Sequence, residues 1–102
     1  MDKETALKLL KNYIVFLKTK KYNIKSAYLF GSYAKDKYDE DSDIDLAIIM
    51  KNLENNYEMQ VELMILGSKF DSRIEPHPID ETDFNSTYPF AYEIMKTGIK
   101  IL

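Results

Sequence analysis

The chain has 102 residues, with 14 Lys and Arg against 17 Asp and Glu, one His and no Cys. Its formal charge of −3 disfavours direct nucleic-acid binding through a basic surface, and the lack of cysteine excludes disulfides and cysteine-ligated zinc. No stretch approaches the roughly 20 apolar residues of a membrane span, and the N-terminus lacks a signal peptide's apolar region, so we expect one cytoplasmic domain over residues 1–102.

The first half of the sequence predicts a helix followed by two strands. Apolar residues spaced by three and four predict an amphipathic helix over residues 2–20, with lysines on its opposite side. Strands are predicted over 24–30 and 44–50, and residues 33–38 between them suit either a short helix or an ordered loop. Beyond Asp45 both faces of the second strand are apolar, which indicates a central strand covered on both sides.

The second half predicts a long helix, a third strand and a short helix. The long helix covers residues 57–70, and four of its apolar residues have a spacing typical of burial: Tyr57, Val61, Met64 and Ile65. In the strand over 73–79, Pro76 and Pro78 cannot donate ladder hydrogen bonds, so its distal half is expected at a sheet edge or outside the sheet.

Residues 80–83 suit a loop or one helical turn. The last helix begins at Pro89 and ends before Gly98, and an extended tail follows it. The order of elements predicts an α/β (α+β) fold in which helices flank a small mixed β-sheet.

Two carboxylates stand at the start of the second strand. Asp43 and Asp45 are two residues apart, so they project from the same face of the strand, where they repel each other unless a divalent cation lies between them. Mg²⁺ suits this role because it binds one or two carboxylates together with substrate phosphates. Gly31 and Ser32 follow the first strand as an open turn that can approach a phosphate closely, with Lys35 or Lys37 nearby. The combination predicts metal-assisted transfer of a nucleotide.

Gly31-Ser32, ten further residues and then Asp43-x-Asp45 resembles the signature of the DNA polymerase beta-like nucleotidyltransferase superfamily, in particular its minimal nucleotidyltransferase (MNT) branch. The resemblance implies the polymerase beta-like fold, ATP as donor, two Mg²⁺ ions and a third carboxylate from a neighbouring strand. Glu75 is our candidate for that carboxylate, and Asp71 is the alternative. In the resemblance this position ligates the metal nearer the acceptor and helps remove the hydroxyl proton.

Stand-alone MNT proteins look like the antitoxin of HEPN–MNT toxin–antitoxin pairs, which transfers AMP to a tyrosine of a HEPN ribonuclease toxin. The resemblance therefore implies a cognate HEPN toxin on a separate chain as the partner, in a hetero-oligomer. A binding-only antitoxin and a small-molecule nucleotidyltransferase are the alternatives. His77 shares a strand face with Glu75, although a structural role suits it better, and Tyr33 beside Ser32 could stack on a base.

Overall fold

The computed structural model describes the whole chain, Met1–Leu102, and contains three α-helices and four strands. The elements in chain order are α1 Lys3–Thr19, β1 Ile24–Phe30, β2 Ile44–Met50, α2 Asn56–Gly67, β3 Ile74–Asp80, a single 3-10 turn Glu81–Asp83, α3 Pro89–Thr97 and β4 Ile99–Lys100. None of the helices combines the length and apolar character that a membrane span requires.

The four strands form one mixed sheet in the order β3-β2-β1-β4, so the predicted fold class is confirmed. β2 is antiparallel to β1 and parallel to β3, and the short β4 is antiparallel to β1. The two strands that were predicted over residues 24–30 and 44–50 have those bounds in the structure. β2 therefore lies between β1 and β3 and is the strand that pairs with β3.

The two faces of β2 pack against different helices. Four alternate residues of the strand join α1 and α2 in the larger core: Ile44, Leu46, Ile48 and Met50. Ala47 and Ile49, on the other face, pack with Ile94 of α3 in a smaller cluster. The prediction of a central strand covered on both sides is therefore confirmed, and Asp45 lies on the face that α3 covers.

The prediction for the buried face of α2 was wrong. Four apolar residues predicted to be buried are 39–76% exposed: Tyr57, Val61, Met64 and Ile65. α2 instead buries Leu63 and Gly67, which meet Tyr13 of α1. The Tyr13 hydroxyl donates a 2.6 Å hydrogen bond to the Leu63 carbonyl, and a Cβ on Gly67 would already touch the Tyr13 ring at 3.4 Å. Because α2 is apolar on nearly all sides, periodicity could not identify the buried face.

β3 is an edge strand, as its prolines indicate, but it does not leave the sheet. Its pairing with β2 runs without a break from Ile74 to Asp80. Side chains of α2 cover the proline carbonyls, since Gln60 Nε2 donates to Pro76 O at 3.0 Å and Asn56 Nδ2 donates to Pro78 O at 2.8 Å. Proline nitrogens and covered carbonyls prevent another strand from adding at this edge.

The segment between β1 and β2 is an ordered series of turns and contains no helix. Tyr33 is fully buried and stacks on Tyr38 with 4.2 Å between ring centroids. Lys3 at the start of α1 holds the same segment, because its backbone N–H donates to the Tyr38 hydroxyl at 3.1 Å and its ammonium pairs with Asp36 at 3.1 Å. Of the two predictions for residues 33–38, the ordered loop is therefore the one that the structure shows.

Candidate active site

Gly31 brings the end of β1 against the carboxylate of Asp45. The ladder pairs Phe30 with Asp45, so the residue after Phe30 turns directly beside that side chain. Gly31 has a φ of +75°, which residues with a side chain rarely adopt. A Cβ built on Gly31 would also overlap the Asp45 carboxylate, whose Cγ would lie only 3.2 Å from it. Glycine is therefore required for both the backbone conformation and the close approach.

The parallel register of β2 and β3 places the predicted third carboxylate opposite the second. Asp45 and Glu75 are direct partners in the ladder, and Asp43 lies one residue before β2. Burial raises the pKa of the Glu75 carboxyl, and the nearby Asp43 and Asp45 raise it further, while His77 lowers it. Three carboxyl groups are therefore held close enough to repel one another. A divalent cation would relieve this repulsion, so the donor set fits Mg²⁺.

His77 approaches the same carboxylates. Its Nε2 lies 3.3 Å from Asp45 Oδ1 and 3.9 Å from Glu75 Oε1, and one donor atom from each of the three residues lies within 4.8 Å of the others. In the ladder His77 faces Ala47, whose small side chain leaves room for the imidazole beside Asp45. In the sequence, the two-residue spacing from Glu75 placed His77 on the same strand face as Glu75. It did not reveal that His77 would contact Asp45 of the neighbouring strand.

Asp71, the alternative third carboxylate, belongs to a different contact. Its carboxylate accepts hydrogen bonds from Arg73 Nη2 at 2.8 Å and Nε at 3.0 Å. This bidentate pairing holds the pKa of Asp71 below its usual range. The structure brings Glu75, and not Asp71, to Asp45 and His77.

The predicted phosphate-binding residues lie on the β1 side of Asp45. Ser32 is half-buried in the turn after Gly31. Lys35 is exposed and its Nζ lies 3.3 Å from Glu93 Oε1 of α3, whereas Lys37 is exposed without an ion pair. The burial of Tyr33 against Tyr38 leaves no ring face for a base, so its predicted stacking role is contradicted.

Three aromatic rings border the carboxylates on the α3 side of the sheet. Phe30 packs edge-on against both of the other rings. Its centroid lies 5.0 Å from that of His77 and 5.4 Å from that of Phe90. Phe90, in the first turn of α3, remains 50% exposed. The acids thus lie between a polar turn after β1 and an aromatic rim formed with α3.

Residues 11–102 match a protein-family model described as polymerase beta, nucleotidyltransferase. A relative from Methanocaldococcus jannaschii, provisionally named protein adenylyltransferase MJ0141, is 34% identical over 76 residues, which are 72% of this chain and 74% of the relative.

Solved structures share the fold. A protein from Sulfolobus solfataricus, provisionally described as a nucleotidyltransferase, aligns with a TM-score of 0.67 at 23% identity, over 96% of this chain and 80% of that one. A toxin–antitoxin complex with AMP-PNP aligns with a TM-score of 0.62 at 23% identity, over 90% and 72%. A mutant of the MntA–HpeT toxin–antitoxin aligns with a TM-score of 0.55 at 20% identity, over 100% and 73%.

Proposed function

Because the chain belongs to the polymerase beta nucleotidyltransferase family, we propose that it transfers AMP from ATP to a tyrosine hydroxyl of a HEPN-type toxin and acts as its antitoxin. The observation that carries this proposal is the convergence of Asp45 and Glu75 directly beside the Gly31 turn. The name of the 34% identical relative supports a protein acceptor and AMP as the transferred group. The toxin–antitoxin complexes among the fold neighbours, one of them with AMP-PNP, support the partner and the donor.

In the proposed reaction Asp43, Asp45 and Glu75 hold Mg²⁺, which supplies charge neutralisation at the phosphates and activation of the acceptor hydroxyl. The Gly31 turn directs backbone N–H groups and the Ser32 hydroxyl toward the β- and γ-phosphates, as glycine-rich turns do in anion sites. His77 restricts the position of the Asp45 carboxylate through its 3.3 Å contact. We further propose that residues 1–102 act as a single catalytic domain and that the acceptor belongs to another chain.

The decisive experiment supplies ATP labelled at either the α- or the γ-phosphate, together with Mg²⁺ and the protein encoded by the adjacent gene. Nucleotidyl transfer predicts label on the neighbour from the α but not the γ position. Asp45→Asn should reduce labelling by about 10²-fold or more, because it removes a metal ligand at the reacting phosphate. Asp41→Asn is the matched control, since Asp41 is an exposed acid of the preceding loop.

The binding-only alternative has a different outcome in the same experiment. If the wild-type chain and Asp45→Asn inhibit the neighbour equally and neither transfers label, neutralisation occurs by complex formation alone. Label on the neighbour from the γ position would instead indicate phosphoryl transfer and overturn the proposal.

A further inference from the structure

A groove adjoins His77 on the β3 side of the site. It begins as a cavity of about 230 Å³ between His77 and Phe90, bordered by Asn56 and Gln60 of α2. A second cavity of about 210 Å³ continues it toward Tyr88, and the two share Ile79, Asp83 and Phe90. We call these two cavities together the β3 groove.

The sheet order places the β3 groove and the Gly31 turn on opposite sides of Asp45. β1 and β3 flank β2, so Gly31 after β1 and His77 in β3 approach Asp45 from the two sides of the strand. In an in-line displacement the attacking and leaving oxygens also lie on opposite sides of the phosphorus. If the Gly31 turn holds the departing pyrophosphate, the attacking hydroxyl arrives from the side where the groove opens.

The lining of the groove suits a neutral aromatic ring. Neither cavity is lined by lysine or arginine, and Asp83 contributes a negative charge to both, which disfavours a phosphate or a second nucleotide. Phe90 is half-exposed yet held in place edge-on by Phe30, 5.4 Å away, and its centroid lies 6.1 Å from that of His77. An aromatic ring gains edge-to-face contacts with such neighbours in addition to burying apolar area.

We propose that the β3 groove seats the ring of the acceptor tyrosine against Phe90 and His77, and thereby selects a phenolic over an aliphatic hydroxyl. This inference rests on the proposed function and adds the residues that bind the acceptor. In the reaction the phenolic oxygen forms a bond to the α-phosphorus of ATP, the bond from that phosphorus to the oxygen shared with the β-phosphate breaks, pyrophosphate leaves and the phenolic proton passes to water.

The ring site can be tested without the partner protein. N-acetyl-L-tyrosinamide is titrated into the ¹⁵N-labelled chain in the presence of Mg²⁺, with N-acetyl-L-serinamide as the non-aromatic comparison. We expect saturable shifts at the amides of Ile79 and Phe90 with the tyrosine derivative only. Phe90→Ala should weaken binding by about 5-fold or more, as expected for loss of one aromatic contact and its buried area. Phe90→Tyr should restore binding.

Tyr92→Ala is the matched control, because Tyr92 belongs to the same helix and is 48% exposed but lines neither cavity. Equal weakening of binding by Phe90→Ala and Tyr92→Ala would overturn the ring site. So would equal chemical-shift changes on addition of N-acetyl-L-tyrosinamide and of N-acetyl-L-serinamide.

Transfer of α-label to the neighbouring protein separates this inference from the proposed function. If wild type transfers label and Phe90→Ala leaves the KM for the acceptor protein unchanged, the groove proposal is wrong while the function stands. If no variant transfers label, the function fails, and the titration alone decides whether the groove binds an aromatic ring.

Discussion

The two sides of Asp45 are built in opposite ways. On the β1 side, the Gly31 turn is fixed by a positive φ, by the buried Tyr33–Tyr38 stack and by two contacts from Lys3. On the β3 side, Phe90 of α3 and Tyr88 just before that helix are half-exposed around an open groove. A site with one rigid and one open side suits a reaction in which a small triphosphate always binds in the same way and the second substrate is a protein.

The largest effect on transfer of α-label is expected from Gly31→Ala. This variant tests whether the reaction requires the close approach of the Gly31 turn to the Asp45 carboxylate. The added Cβ overlaps the Asp45 carboxylate, and the positive φ costs a non-glycine residue about 1–2 kcal/mol. A displaced carboxylate should lower transfer of α-label by about 10²-fold.

Gly67→Ala provides the control for Gly31→Ala, because the nearest neighbours of its Cβ are Tyr13 at 3.4 Å and Ile74 at 3.6 Å, and none of them is a carboxylate. We expect the control to retain full activity. Normal transfer by Gly31→Ala would mean that the close approach of the turn is not used in the reaction.

Unequal contributions to stability provide the next test of the comparison. Tyr33 is fully buried under the Gly31 turn, so Tyr33→Ala should lower the free energy of unfolding by about 3–5 kcal/mol. Phe90→Ala should cost about 1 kcal/mol or less, because half of its surface is already exposed. Urea unfolding monitored by circular dichroism measures both values. Similar losses for the two variants would show that the groove wall contributes to the fold as much as the turn does.

The sequence predicted the rigid side better than the open side, for a physical reason. Strand alternation and the Gly-Ser spacing are local features, so the bounds of β1 and β2 and the position of the Gly31 turn followed from them. His77, in contrast, reaches Asp45 only through the parallel register of β3 with β2. The helix considered over 33–38 did not form, since contacts from Lys3, 35 residues before Tyr38, hold the turns.

The exposed apolar residues of α2 also show that a local sequence pattern cannot determine a tertiary contact. Tyr57 and Ile65 have the spacing of a buried face, and only the packing of Tyr13 against Gly67 selects the other face. A pattern that is apolar on nearly every side of a helix leaves this choice to tertiary contacts.

Glu75→Gln should change the free energy of unfolding less than Tyr33→Ala does, and in the opposite direction. It should stabilise the chain in the absence of Mg²⁺. The raised pKa of Glu75 means that folding holds its carboxylate in an unfavourable position, near Asp43 and Asp45. Since the side chain is 40% exposed, solvent screening limits the gain in unfolding free energy to about 1 kcal/mol. The cost is fully present above the raised folded pKa and disappears as the pH falls below the unfolded value of about 4.3.

Unfolding of wild type and Glu75→Gln at pH 7.5 and pH 4 therefore checks this prediction, with the exposed Glu40→Gln as control. The difference between the variant and wild type should be present at pH 7.5 and vanish near pH 4. Addition of Mg²⁺ should stabilise wild type more than the variant, because the cation relieves a repulsion that Glu75→Gln has already reduced. A destabilised variant at pH 7.5 would show that Glu75 is held by favourable contacts instead.

The smallest effect concerns the ion pair that joins the two sides, Lys35 of the turn with Glu93 of α3 at 3.3 Å. Both side chains are about half-exposed, so the pair should contribute about 0.2–1 kcal/mol to stability. If Lys35 also contacts phosphate, Glu93 competes for its ammonium, and Glu93→Gln should tighten binding of AMP-PNP by about two- to five-fold. Calorimetric titration with Mg²⁺ measures this change, and Glu58→Gln on α2 is the control. Unchanged affinity in Glu93→Gln, together with unchanged affinity in Lys35→Ala, would restrict Lys35 to linking the rigid turn to the helix that borders the groove.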